Sequence, residues 1–231
     1  MAPQGMTDEW VAVRVWDLPT RIFHWVLAAS IAGSLFSAWV GGNAMTWHTR
    51  LGYLVFALLA FRAVWGLVGG RWSRFASFIY APGASVRFLR GQSEPGGRDQ
   101  VGHSPLGSLS VFALLAILSA QVATGLFAND EIATQGPLAN FVADATARRL
   151  TGWHTGWGKW LIVGLTVLHV GAVLFYLVRR RNDLIRPMWT GDKRLPADVP
   201  ASADSLGTRL LALVLFVAAA GLVAWVVELG A

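Results

Sequence analysis

Five stretches of the chain are almost free of charge. Ile22–Val40, Gln100–Asn129, Trp160–Val178 and Leu210–Val227 contain no Asp, Glu, Lys or Arg, and Leu51–Gly70 is interrupted only by Arg62. A helix needs ~20 apolar residues to cross ~30 Å of hydrocarbon. It is the open structure that satisfies its own backbone in lipid. No stretch alternates with the period of two that marks a membrane barrel. The pattern predicts an all-α integral membrane protein. Four helices, at about 20–40, 47–70, 104–128 and 153–178, form a transmembrane bundle within a unit spanning 13–192. A linker at 193–207 then leads to a fifth, C-terminal transmembrane helix at 208–228.

The connections refine this picture. Gly41–Thr46 is too short for anything but a hairpin, so the first two helices are antiparallel neighbours. Arg71–Ser104 holds Pro82, Gly91, Pro95, Gly96 and Gly97 and reads as a loop. Within it, Pro82–Arg90 is a candidate interfacial helix, with Val86 and Leu89 toward lipid and Arg87 and Arg90 toward phosphate. Asn129–Thr151 carries Asp130, Glu131 and Asp144 and is long enough to dock a partner. Residues 192–207 are rich in Asp, Ser and Pro and read as a solvated linker.

Composition agrees with a membrane protein. Of 231 residues, 55% are hydrophobic and 14% charged, where a soluble domain carries about 25% charged residues. There is no Cys, which excludes disulfides, thiolate metal sites, iron–sulfur clusters and covalent c-type haem. The net charge of +6 raises the question of nucleic acid. Its distribution answers it, because the Lys and Arg flank the spans. Two fall in residues 1–21, five in 71–104 and seven in 179–209, against four on the opposite side. By the positive-inside rule those three segments are cytoplasmic and the C-terminus lies outside. Asp8, Glu9 and Asp17 ahead of the first span, and the length of that span, argue against a cleaved signal peptide. The location expected is a membrane, multi-pass, with the N-terminus in the cytoplasm, lipid as surroundings and no nucleic-acid partner.

Five histidines stand out against so few ionisable groups: His24, His48, His103, His154 and His169. A lone His near a helix end is most often an interfacial hydrogen-bonding residue; four at matched depths are not so easily dismissed. His154 and His169 are 15 residues apart, ~22 Å along an α-helix and only ~60° apart in azimuth. They face one side of the fourth helix near opposite leaflets. His24 begins the first helix inside and His48 begins the second outside, so His24 meets His169 and His48 meets His154. Pairs of neutral imidazoles on facing helices suit two b-type haem irons, each taking one nitrogen from either face. Zinc fits poorly, since no third ligand lies nearby. One depth is awkward: His24 is three residues from Arg21, whereas His169 is ten from Arg179, which puts His169 ~10 Å deeper. An earlier start to the first helix, near Leu18, or a fourth helix projecting into the cytoplasm, restores the match.

Three further residues are candidates for cofactor contact. His103, in Gly102-His103-Ser104-Pro105, is either an interfacial helix-start residue or a contact to a haem propionate or a quinone. Arg62 either snorkels to lipid phosphate or pairs with a propionate of the inner haem. Arg21 is a second candidate for the propionate.

These residues together resemble a known family, the bacterial di-haem cytochrome b561 and nickel-hydrogenase-type cytochrome b subunits, over about residues 13–192. The resemblance is carried by Val15-Trp16-Asp17-Leu18-Pro19-Thr20-Arg21-Ile22-Phe23-His24-Trp25, by His48 with Gly52-Tyr53, and by Phe61-Arg62 with Trp65-Gly66. Gly102-His103-Ser104-Pro105-Leu106-Gly107, Gly125-Leu126-Phe127-Ala128-Asn129-Asp130, the helix-four histidines and Arg186-Pro187-Met188 complete it. It implies a four-helix bundle holding two b haems, each bis-His ligated, with ligands at His24, His48, His154 and His169. It also implies electron exchange between a membrane quinone and a redox partner such as a hydrogenase, a dehydrogenase or a c-type cytochrome. It says nothing of the fifth helix, which has no His and reads as peripheral packing or a partner contact.

Three other functions compete with this one. A transporter tends to place Asp or Glu mid-membrane; here the polar mid-span residues are Ser30, Ser34, Gln121 and Thr124. A pure membrane anchor leaves four matched histidines unexplained. A stand-alone oxidoreductase passing electrons from a small molecule such as superoxide to quinone stays open; the acidic outer loop favours a docking partner instead.

Overall fold

The computed structural model describes residues 10–92, 101–132 and 134–230. Among them five helices are long and apolar enough to cross a membrane. Strand β1 (Trp10–Arg14) leads into α1 (Leu18–Val40) and α2 (Met45–Val68). The short α3 (Pro82–Leu89) precedes α4 (Pro105–Leu126). Helix α5 (Asp144–Trp153) runs through a π-turn, His154–Gly158, into α6 (Lys159–Arg179). Then come α7 (Ile185–Thr190), β2 (Asp192–Pro196) and α8 (Leu206–Glu228).

The helix starts are set by side-chain caps. Asp17 accepts the Thr20 amide at 2.8 Å, and Pro19 fills the first turn of α1. Ser104 and Ser205 cap α4 and α8 in the same way. Between α1 and α2 the chain reverses through Gly41 and Gly42, at φ +69° and +52°, where a side chain is strained.

Helix α2 lies at the centre, packed by α1, α4 and α8. One apolar cluster joins Phe23 of α1, Leu58, Phe61 and Trp65 of α2, and Ala212 and Ala219 of α8. A second joins Val55 and Leu59 to Leu118 of α4 and Ile162 of α6. The fifth span thus packs on α2 and also touches α1. Large apolar side chains cover the exterior, Trp39 (81% exposed) and Trp157 (74%) among them. Apolar residues so placed are stable against hydrocarbon, not water.

At one end of the bundle the chain folds over itself. Strands β1 and β2 pair antiparallel, with Ala12 opposite Arg194. Beneath them Val13, Val15, Trp16, Trp72, Val101 and Leu195 form a small core. The reading of 192–207 as a solvated linker is therefore corrected. Leu195 and Ser202 are buried; the Ser202 hydroxyl donates to the Val15 carbonyl at 2.7 Å and accepts the Trp72 amide at 3.1 Å. Asp204 accepts from the Leu18 amide and binds Arg14 and Arg209. Burial alone pushes the Asp204 carboxyl up, but Arg209, the Leu18 amide and Arg14 outweigh it and hold it below the ordinary range. We call this the sheet end and the opposite one the hairpin end.

A second correction concerns 144–151, the last part of the outer loop read over 129–151. It is helical and extends the fourth span beyond His154. The π-turn joins the two pieces, with Gly156 at φ −99°, ψ −106°. Such a turn takes one extra residue, so the ~60° between His154 and His169 becomes ~40° to the other side. The candidate interfacial helix is present as α3, with Val86 and Leu89 exposed. Pro95, Gly96 and Gly97 of the preceding loop lie outside the described residues.

Candidate functional site

The structure brings the histidines together in two pairs. At the hairpin end the His48 and His154 rings lie 6.0 Å apart, centroid to centroid, and nearly perpendicular. At the sheet end the His24 and His169 rings lie 6.4 Å apart. The depth mismatch closes in part because α1 starts at Leu18, so that His24 sits six residues into the helix. The rest closes because α6 runs past the start of α1 before α7 folds back, stacking Trp189 on Trp25 at 4.4 Å.

The hairpin-end pair is held through one nitrogen of each ring. His48 Nδ1 contacts the Ser34 carbonyl at 2.9 Å, and His154 Nδ1 contacts the Gln121 carbonyl at 2.9 Å. A carbonyl only accepts, so both Nδ1 atoms carry the proton and both Nε2 atoms are left with free lone pairs. Gln121 also donates through Nε2 to the His154 carbonyl at 2.9 Å, fixing the π-turn against α4. Gly125 faces the His154 ring, and a Cβ there would sit 2.8 Å from Cε1. The sheet-end pair is less tethered: His24 Nδ1 is buried without a hydrogen-bond partner among the described residues.

Around the sheet-end pair lies a buried polar network that sequence reasoning did not see. Asp17 is fully buried and accepts from Trp65 Nε1 at 3.2 Å and the Ser73 hydroxyl at 2.6 Å, besides the Thr20 amide. The Ser73 carbonyl accepts Arg62 Nη2 at 3.0 Å. Asp17 thus ties the start of α1, the end of α2 and the turn after it into one unit just below His24. Its place in Trp16-Asp17-Leu18-Pro19 gave a signal, as an acidic residue at the mouth of an apolar span.

Arg62 does not reach toward phosphate. It is 3% exposed, and its guanidinium lies over the Phe75 ring at 4.6 Å. The snorkelling reading is corrected; the neighbouring Asp17–Ser73 network holds the cation inside. Arg21, one turn before His24, donates to the Trp189 carbonyl, and its Nε is buried without a partner among the described residues. His103 is half-buried between Trp16 (4.7 Å) and Phe78 (4.4 Å), with Nδ1 itself buried and unpartnered among the described residues. Burial, with Arg62, His169 and His24 close by, pushes it down to about 3, so it is neutral.

Among the described residues no group of three or more His, Asp or Glu is placed to hold a metal ion. The histidines therefore offer two nitrogens per site. That suits a metal whose remaining ligands come from a planar macrocycle, as in haem with two axial histidines.

Comparison with known proteins gives a consistent result. Residues 15–191 match the family model of prokaryotic cytochrome b561. The chain is 24% identical to a "Probable Ni/Fe-hydrogenase B-type cytochrome subunit" of Rhodobacter capsulatus, over 81% of this chain and 83% of that protein. Proteins of the same description from Bradyrhizobium diazoefficiens (25%, over 79% of this chain and 86% of that protein) and Azotobacter vinelandii (24%, over 82% and 91%) are similar to it as well. No solved structure matches the chain. With five membrane-spanning helices and a match covering most of its length, the chain belongs to the prokaryotic cytochrome b561 family, multi-pass membrane cytochromes that transfer electrons through haem b.

Proposed function

We propose that the chain binds two b haems, one on His24 and His169 and one on His48 and His154, and passes electrons between a quinone and a hydrogenase-type partner. The observation that carries this reading is the spacing of the rings. A metal–imidazole nitrogen bond is about 2.0–2.1 Å and that nitrogen lies about 1.1 Å from the ring centroid, so two rings sharing one ion stand about 6.3 Å apart. The pairs stand at 6.4 and 6.0 Å. The iron, when bound, supplies one-electron oxidation and reduction. The protein fixes the tautomer of His48 and His154, keeps their Nε2 atoms free, and packs the sites in apolar side chains that exclude water.

At the sheet end, Arg21 and His103 have buried nitrogens free for the propionates, one as a cation and one as a neutral donor. The excess of Lys and Arg at that end supports a cytoplasmic position for it and for the N-terminus, with the hairpin end outside. The acidic side chains of Asp130, Glu131 and Asp144 then face a partner across the outer surface. The relatives named as hydrogenase subunits support a hydrogenase as that partner. The two pairs lie ~20 Å apart along the fourth span, so electrons cross most of the bilayer between them.

Single His→Ala variants with reduced-minus-oxidised spectra test the pairing. His24→Ala and His169→Ala remove one and the same haem; His48→Ala and His154→Ala remove the other. Two members of a pair that remove spectroscopically different haems overturn the assignment.

A further inference from the structure

We infer that the quinone head group binds in the groove between α2 and α4 at the sheet end, with Arg62 as its hydrogen-bond donor. This rests on the reading that the chain exchanges electrons with a quinone, and it adds where that exchange takes place. The groove holds about 300 Å³, at the lower end of small-molecule sites. Leu59, Arg62, Ala63, Phe75, Phe112 and Ala116 line it. Ala63, Phe112 and Ala116 are exposed on the lipid-facing surface of the bundle, so the groove opens sideways into the membrane. A ligand reaching it comes from the hydrocarbon, and its tail stays there.

The groove is largely apolar: the Ser119 hydroxyl on its wall is given to the Leu115 carbonyl at 2.8 Å, and Arg62 is its one charged group. Arg62 Nη2 is bound to the Ser73 carbonyl, but Nη1 is buried with no hydrogen-bond partner among the described residues. A buried donor left without an acceptor is costly, and more so when it is charged. An acceptor oxygen carried into the groove removes that cost. Phe75 and Phe112, 5.7 Å apart, offer ring faces to a flat head group beside it.

Two features select a neutral quinone over an acidic phospholipid, which shares the acceptor oxygen and the tail. The guanidinium already has a counter-charge, because Ser73, whose carbonyl it binds, gives its hydroxyl to the fully buried Asp17 carboxylate. A second anion at Arg62 is then poorly compensated. Arg62 also lies six residues before the end of α2 at Val68, ~9 Å along the helix, deeper than a headgroup phosphate. The position suits electron exchange as well. The Arg62 guanidinium is 6.0 Å from the Phe23 ring, and Phe23 adjoins His24 in the chain.

The test uses purified, haem-loaded protein in detergent, with decylubiquinone as probe. Wild type should bind it. Ala116→Phe fills the groove from the lipid side while Arg62 itself is retained, and should weaken binding at least tenfold with both haem potentials and the haem content unchanged. Arg62→Met should weaken binding comparably. Ala116→Phe with wild-type affinity overturns the site. Arg62→Met that binds normally while one haem potential falls assigns the guanidinium to a propionate instead. Loss of a co-purifying phospholipid from both variants, with quinone affinity unchanged, assigns the groove to lipid. Wild type with two haems and no decylubiquinone binding refutes the quinone reading itself, a result distinct from failure of the groove.

Discussion

Gly125 is where the smallest substitution should have the clearest effect. An alanine there puts a carbon 2.8 Å from Cε1 and 3.2 Å from Nδ1 of His154. Carbon atoms rest at about 3.5–4.0 Å, so the ring must retreat by about 1 Å. Metal sites tolerate errors of only about 0.2 Å in ligand position. The same movement lengthens the 2.9 Å contact from Nδ1 to the Gln121 carbonyl beyond hydrogen-bond range. Nor can α4 simply move away, because Gln121, one turn earlier, is bonded to the His154 backbone. Gly125→Ala should therefore lose the hairpin-end haem, or hold it through His48 alone as a high-spin species, while the other haem stays low-spin. The assay is a pyridine haemochrome ratio with an EPR spectrum of the purified variant. Gly171→Ala on α6, where an added carbon meets nothing within 4 Å, is the control and should keep both haems. A Gly125→Ala protein with full haem content and an unchanged low-spin signal would refute the reasoning.

The other expectations are shorter. Both hairpin-end imidazoles give Nδ1–H to carbonyls, which raises their basicity and favours ferric iron; that haem should titrate at the lower potential, and equal potentials would contradict it. A reporter fused after Asp198 should be active in the cytoplasm and one fused after Glu228 outside; a cytoplasmic Glu228 fusion would mean that α8 does not span. Asp204 binds its proton more weakly folded than unfolded, so its contribution is whole above about pH 4 and is lost as pH falls through the folded value. Amide exchange at Leu18 and Ser202 should accelerate in acid, and Asp204→Asn should remove that pH dependence; an unchanged acid response in the variant would remove Asp204 as its cause.

The spans were legible because lipid forbids charge, and charge is easy to see in a sequence. The histidine pairs were legible from helix rise and the shortness of the Gly41–Thr46 hairpin. Other parts were not, for physical reasons. Strand β2 reads Asp-Lys-Arg-Leu-Pro, and its partner lies some 180 residues away, so no local pattern reveals the pairing. Asp144–Trp153 carries Arg148 and Arg149, and Lys159 follows, so the apolar run begins only at Trp160 although the helix begins earlier. The π-turn leaves no mark beyond Gly156 and Gly158. Snorkelling stays open for Arg62 in the sequence, beside the propionate reading, because its buried counter-charge, Asp17, comes 45 residues earlier. Gln121 and Thr124 were noticed only as polar residues in an apolar span; that they stand beside His154 is a fact of tertiary packing.

The ratio of haem to protein in the purified chain bears most directly on the two histidine pairs. Two b haems per chain, both low-spin when oxidised, are expected from ring pairs at 6.4 and 6.0 Å. A ratio of one, or a high-spin spectrum in the unmodified protein, would contradict it.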